Sequence, residues 1–181
     1  MPNTAVFGVA VTETQAVRIA NALKASGFED GDISVLFPDR TPRRDFAHEQ
    51  NSKAPEGAAA GVGAGGLVGG GLGWLVGIGT FAIPGIGPFI AAGPIMAALG
   101  GAAIGAAVGG VTGAFVGLGI PELEAKQYEE RLRDGNVLIS VHTENAEEVE
   151  RAKMILERED ARDISAAREA PVSKLRAARM R

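Results

Sequence analysis

The N-terminal part of the chain has a hydrophobic pattern typical of strand, helix and strand. Residues 5–11 place Ala, Phe, Val and Val at alternate positions, as in a buried strand. Thr12 and Gln15 have the spacing of a capping box, and apolar residues follow at helical intervals up to Gly27, a left-handed stop. Residues 33–37 alternate again as a second strand. The pattern therefore predicts one βαβ unit.

The C-terminal part repeats this order. Residues 137–141 alternate as a strand, Asn145 and Glu148 have capping-box spacing before an amphipathic helix, and a short strand begins at Asp163. Two such halves make up a split βαβ, ferredoxin-like sandwich, which has one antiparallel sheet with both helices on one face. We therefore predict an α+β, ferredoxin-like domain. The hairpin between its second and third strands is where an insertion does least harm.

A glycine-rich block separates the two halves. Residues 57–121 contain no charged residue and hold 22 of the 26 glycines, with small residues at every fourth position. Glycine in a water-exposed helix costs about 1 kcal/mol relative to alanine. In a membrane, however, the same spacing lets two helix backbones approach closely. The predicted helix-packing residues are Gly61, Gly65, Gly69, Gly73, Gly77, Gly101, Gly105, Gly109, Gly113 and Gly117.

Two segments of this block are long enough to span a bilayer. Residues 58–83 and residues 95–120 each comprise 26 residues, and a hydrocarbon core of about 30 Å needs about 20. An uncharged turn at residues 84–88 separates them. We predict a transmembrane-type, glycine-zipper helical hairpin over residues 57–120, inserted between strands two and three. A buried glycine-rich core of a soluble oligomer and a disordered linker are the alternatives, but the block's Leu, Ile, Val and Phe content argues against disorder.

Basic residues flank the hairpin on the side of the folded domain, and its turn has none. The positive-inside rule then places the folded domain in the cytoplasm. The basic tail is either a solvated chain end or a second contact for anionic lipid headgroups. The predicted membrane-surface residues are Arg43, Arg44, Lys53, Lys174, Arg176 and Arg179.

These features divide the chain into five parts. The first βαβ half covers residues 1–40 and a polar linker covers residues 41–56. The hairpin follows at residues 57–120. A helix and the second βαβ half cover residues 121–167, and the basic tail covers residues 168–181.

Composition excludes several kinds of chemistry. The net charge of −4 excludes a chain-wide basic surface for nucleic acid, and the lack of cysteine excludes thiolate sites. Neither His48 nor His142 has a second metal ligand nearby in the sequence. A Gly-x-Gly-x-x-Gly match at residues 61–66 has no preceding strand and no acidic residue about 20 positions later. We therefore predict no catalytic, cofactor-binding or metal-binding residues, and no enzyme activity.

The arrangement resembles a bacterial family. The shared features are the opening strand at residues 5–11, a strand ending near Phe37-Pro38, the Gly/Ala-rich hairpin, and a helix Pro121-Glu-x-Glu-Ala-x-x-Tyr128-Glu-x-x-Leu132 before Gly135. The family consists of small membrane proteins of unknown function that are labelled general-stress or low-temperature-induced proteins. The layout is also similar to the two-helix membrane subunit of alternative complex III. The first resemblance implies action alone or as a homo-oligomer, and the second implies a partner complex.

The expected function is that of a non-enzymatic, membrane-integrated stress-type protein. Its partners would be the lipid bilayer and copies of itself, with association through the glycine-zipper helices and no nucleic acid. One alternative is an accessory membrane subunit of a respiratory or transport complex. Another is a soluble self-assembling or ligand-sensing ferredoxin-like protein with a buried glycine-rich core.

Overall fold

The computed structural model describes residues 4–38, 79–83, 87–93 and 110–168. These residues form six strands and four helices. The strands are β1 (Thr4–Ala10), β2 (Ile33–Pro38), β3 (Gly79–Ile83), β4 (Gly87–Ala92), β5 (Val137–Thr143) and β6 (Arg162–Arg168). The helices are α1 (Glu13–Ala25), α2 (Gly110–Gly117), α3 (Glu122–Arg133) and α4 (Ala146–Arg158).

The six strands form one antiparallel sheet in the order β3-β4-β2-β5-β1-β6. Helix α1 connects β1 to β2 across β5, and α4 connects β5 to β6 across β1. Each half therefore contains two strands that run in the same direction with an oppositely directed strand between them. The predicted mixed α+β class is confirmed.

Both faces of the sheet are covered by helices. On one face, Ile19 and Leu23 of α1 and Leu156 of α4 are buried against the sheet, as expected for the two βαβ helices. On the other face, Phe115 of α2 and Tyr128 of α3 pack in a second core. Burying side chains of this size contributes roughly 1.5–3 kcal/mol each. The second helical layer is additional to the predicted arrangement.

The capping residues of α1 and α4 behave as the sequence predicts. The Thr12 hydroxyl oxygen accepts from the Gln15 backbone N–H at 3.1 Å, and the Asn145 side-chain oxygen accepts from the Glu148 backbone N–H at 2.9 Å. Gly27 follows α1 with a φ of +94°, which confirms it as the left-handed stop. These local signals need no tertiary information, because each joins residues within one turn.

The predicted hairpin of long helices is wrong over residues 79–92. Residues 79–83, expected at the end of a helix, form β3, and the expected turn at residues 84–88 overlaps the start of β4. Strand β4 pairs with β2 from Val35↔Ala92 to Pro38↔Phe89. Without β4 the outer edge of β2 would have unpaired backbone groups, and pairing with β4 satisfies their hydrogen bonds. A sheet edge distant in sequence thus outweighs the local four-residue spacing.

The second predicted helix, over residues 95–120, is helical over residues 110–117 and ends three residues earlier than predicted. Its described part is the eight-residue α2, after which the Ile120 N–H donates to the Phe115 carbonyl oxygen as the chain turns into α3. Within the four described ranges, no helix combines the length and apolar character needed to cross a bilayer. The rest of both predicted helices lies outside those ranges.

Candidate functional site

Few of the predicted site residues fall within the described ranges. Gly113 and Gly117 do, and both lie in α2. The other predicted packing and membrane-surface residues lie outside the described residues: Gly61, Gly65, Gly69, Gly73, Gly77, Gly101, Gly105, Gly109, Arg43, Arg44, Lys53, Lys174, Arg176 and Arg179. Their proposed roles remain predictions.

Helix α2 has one buried face and one open face. Val111, Ala114 and Phe115 are buried in the second core. At Gly113 and Gly117, an added Cβ would meet no atom of the described residues within 4 Å. Two apolar side chains close by in the sequence are also exposed: Val116 of α2 is 44% exposed, and Leu123, at the start of α3, is 73% exposed. We refer to Gly113, Val116, Gly117 and Leu123 as the α2 outer face.

A carboxylate fixes the N-terminal end of α2 to α3. Glu129 accepts the backbone N–H of Thr112 at 3.1 Å and also the Thr112 hydroxyl, while Arg133 donates to its other oxygen at 2.5 Å. Burial alone would raise the pKa of Glu129, but these hydrogen bonds outweigh it and the pKa is lowered. Because a carboxylate at a helix N-terminus satisfies free N–H groups, this contact holds α2 in a defined orientation.

An aromatic cluster fixes the two helices to the sheet. The Tyr128 ring lies 5.9 Å from the Phe115 ring and 6.0 Å from the Phe7 ring, measured between centroids. Its hydroxyl donates to the Asp163 carbonyl oxygen at 2.9 Å and lies 2.7 Å from the Ser165 hydroxyl, and burial raises the pKa of Tyr128. The α2 outer face is therefore presented on a rigid support.

A second candidate is a polar cleft at one end of the sheet. It has a volume of about 250 Å³ and lies where the α1–β2 connection meets the β5–α4 connection. Its lining includes Phe28, Asp32, His142, Glu148 and Arg151. Both βαβ halves contribute to it, so the cleft exists only when the halves are folded together.

Arg151 is oriented in the cleft by an aromatic ring. Its guanidinium carbon stands 5.0 Å from the centroid of Phe28, which is only 5% exposed. Its Nε is buried and has no hydrogen-bond acceptor among the described residues. Buried donors of this kind are rare in folded proteins. The cleft therefore holds an arginine that is positioned but not fully satisfied.

Glu148 is held at the start of α4 by two donors. The Glu144 backbone N–H and the Asn145 side-chain amide each donate to its carboxylate at 2.8 Å. The pKa of Glu148 is lowered chiefly by the Glu144 N–H, against a smaller effect of desolvation, with help from Asn145, Arg151 and His142. Both carboxylate oxygens thus serve the capping box.

Glu148→Gln should reduce stability at neutral pH by less than about 1 kcal/mol, the usual range for a capping interaction. Because the folded pKa lies below the unfolded value of about 4.3, the contribution of Glu148 is complete above that value and is lost as pH falls through the folded pKa. Urea unfolding at pH 7 and pH 3 should show a difference between parent and variant that shrinks at pH 3. Glu147→Gln, an exposed change in the same turn, should show no comparable difference. A pH-independent deficit for Glu148→Gln would contradict the prediction.

The described residues contain no group of three His, Asp or Glu side chains placed to hold a metal ion. The sequence-based predictions give the residues of the cleft no role in a site: Gly27 and Glu148 enter only as helix-boundary signals, and His142 only as a possible metal ligand. The available signal was weak: Arg151 stands three residues after Glu148 in α4, and Phe28 directly follows Gly27. Nothing local indicates that the two side chains meet across 123 positions.

The described residues present two candidate surfaces, which are the α2 outer face and the polar cleft. No protein-family model, curated protein or solved structure matches this chain.

Proposed function

We propose that this chain is a non-enzymatic, membrane-associated protein of the bacterial inner membrane that self-associates through its glycine-rich block. One observation carries the proposal. The 18 basic and 22 acidic residues all lie outside residues 57–121, which are apolar and rich in glycine. Such a separation is typical of a chain with one part in water and one part in lipid. A membrane complex with other subunits and a soluble self-assembling protein are the competing assignments.

The folded domain in this proposal is ferredoxin-like and faces the cytoplasm. The strand order β6-β1-β5-β2 and the two βαβ halves support this assignment. The β3–β4 hairpin then extends the sheet beyond β2, and the α2–α3 pair covers the face opposite to α1 and α4. The domain therefore holds two parts of the glycine-rich block in place: the β3–β4 hairpin, which pairs with β2, and α2, which packs on the sheet.

The chain connectivity constrains how the block meets a membrane. Pro38 in β2 and Gly79 in β3 belong to one sheet, so both ends of the connecting segment lie on the same side of any membrane as the domain. Residues 57–78 provide 22 uncharged residues, enough for one crossing but not for a crossing and a return. We therefore propose insertion from the cytoplasmic side with return to that side. A full two-helix crossing would require β3 and β4 to leave the sheet.

Membrane association is tested by washing bacterial membranes with alkaline carbonate. We expect the full-length chain to remain in the membrane pellet and to be released only by detergent. The reason is that an uncharged block of this length gains more from lipid than a peripheral protein gains from surface charge. Release into the carbonate supernatant would contradict the membrane assignment and favour the soluble alternative.

Self-association is tested by substituting leucine at both Gly113 and Gly117. An added Cβ at either position meets no atom of the described residues within 4 Å, so the unfolding temperature of the domain should change little. Close approach of a second copy at the α2 outer face should be blocked, and self-association should weaken at least tenfold. Sedimentation or light scattering of the detergent-solubilised chain measures this.

The matched control places two leucines four residues apart on α4, at Lys153 and Glu157. This variant should self-associate like the parent. A folded Gly113→Leu/Gly117→Leu variant that associates as tightly as the control would show that α2 is not the contact. Stoichiometric foreign subunits in a mild-detergent pull-down would favour the accessory-subunit assignment instead.

A further inference from the structure

The polar cleft is lined by side chains of both charges. Arg151 supplies the positive charge, and its guanidinium lies over the Phe28 ring at 5.0 Å. The ring restrains a side chain that otherwise has many rotamers, so less freedom is lost when a ligand binds. Its buried Nε has no hydrogen-bond acceptor among the described residues. A planar guanidinium in this state is suited to receive a carboxylate, whose two oxygens match its donors.

Asp32 supplies negative charge and is also fixed in place. One of its carboxylate oxygens accepts the Glu29 N–H at 3.0 Å, and its backbone carbonyl accepts the His142 N–H at 2.7 Å. The exposed Glu29 and Glu144 add negative charge at the rim of the cleft. These carboxylates are suited to an ammonium group.

Glu148 does not compete for a ligand. Both of its oxygens are engaged by the start of α4, through the Glu144 N–H and the Asn145 amide. Glu148 lies three residues before Arg151 in α4, where the nearby guanidinium charge helps to lower the pKa of Glu148. The negative charge of Glu148 therefore weakens the attraction of Arg151 for an anion, but Arg151 can still bind one.

We propose that the cleft binds a small zwitterion of the α-amino acid class, with its carboxylate on Arg151 and its ammonium group toward Asp32. A simple anion would face the surrounding carboxylates, and a simple cation would face the guanidinium. A volume of about 250 Å³ is several times the roughly 30 Å³ that a water molecule occupies, so the cleft has room for a small amino acid such as glycine, alanine or serine. This site is separate from the α2 outer face and does not depend on membrane association.

The proposal is tested by saturation-transfer difference NMR on the full-length chain in detergent. The probes are glycine, L-alanine and L-serine, with acetate and methylammonium as ligands that carry only one of the two charges. We expect saturable transfer to at least one zwitterion at millimolar concentration, and at least tenfold weaker binding of both single-charge probes. Equal binding of acetate would indicate a plain anion site, and equal binding of methylammonium would indicate an acidic surface. Either result overturns the proposal. A lack of transfer to any zwitterion at about 10 mM also overturns it, because that concentration exceeds a millimolar dissociation constant.

Two variants locate the binding. Arg151→Gln should weaken zwitterion binding at least tenfold because the carboxylate loses a charge-assisted pair. Asp32→Asn keeps an oxygen for the Glu29 N–H while it removes the charge, and it should also weaken binding. The control is Lys153→Gln on the same helix, where the lysine pairs with Glu150 at 3.0 Å and does not line the cleft. Binding by both variants at the affinity of this control would place the zwitterion elsewhere and contradict the proposal.

Discussion

Replacing Gly93 with alanine is expected to separate β4 from β2 and to lower the free energy of unfolding by about 3 kcal/mol or more. Gly93 is buried directly after β4 and has a φ of +93°. An added Cβ would lie 2.5 Å from the Ser34 hydroxyl oxygen, 2.7 Å from the Ser34 Cα, and in contact with the Ile33 carbonyl oxygen. Backbone atoms cannot yield as a flexible side chain can, so the strand itself must move. Urea unfolding monitored by circular dichroism measures the loss.

Gly27→Ala provides a matched control for Gly93→Ala. Gly27 has nearly the same φ, +94°, but an added Cβ there would meet nothing within 4 Å. This variant should therefore show only the conformational cost of a left-handed alanine, roughly 1–2 kcal/mol. The difference between the two variants isolates the close approach of β4 to β2. Equal losses would mean that β4 does not dock on β2 as the structure shows.

Replacing Gln15 with glutamate is expected to cost about 3 kcal/mol or more at pH 7. Gln15 is 8% exposed, and its side-chain nitrogen donates at 2.8 Å to the carbonyl oxygens of both Glu159 and Asp160. Its side-chain oxygen accepts the Val11 N–H at 2.8 Å. An ionised carboxylate would place an oxygen where the amide nitrogen donates, against two carbonyl oxygens. Chemical unfolding across a pH series measures the effect.

At position 15, the pH dependence distinguishes the loss of stability caused by the charge from the loss caused by the missing hydrogen bonds. In Gln15→Glu the carbonyl oxygens favour the protonated acid, so the folded pKa should lie above the unfolded value of about 4.3. The deficit should then grow as pH rises from about 4 until the folded pKa is passed. Gln15→Leu, which also loses the three hydrogen bonds, should show a deficit that does not change over this range. Parallel pH profiles for the two variants would contradict this account.

The two βαβ halves are predictable from the sequence because their signals are local. Thr12, Gly27 and Asn145 each act within one helical turn, and alternate apolar residues identify the strands that form the centre of the sheet. Gln15 shows the limit of such reasoning. Its spacing from Thr12 predicts the capping box, yet its second role depends on the end of α4, about 145 positions away.

The helical prediction for the glycine-rich block is wrong over β3 and β4, and the reason is again a contact between residues that are distant in the sequence. Small residues at every fourth position favour close helix packing, but the pattern contains no information about a vacant edge on β2. The α2–α3 layer depends on Tyr128, which reaches Ser165 on a strand 37 positions later. Both features are decided by tertiary contacts, which outweigh local preference.

The central position of β1 has a consequence for synthesis of the chain. Its partners are β5 and β6, so Thr4 pairs with Thr143 on one side and with Arg168 on the other. Ribosomes add about 5–20 residues per second, so roughly 2–10 s separate the synthesis of residue 121 from that of residue 168. Throughout that interval the uncharged block is already made, while the sheet that anchors β4 and α2 cannot close. The nascent chain therefore exposes its uncharged block before the sheet can close.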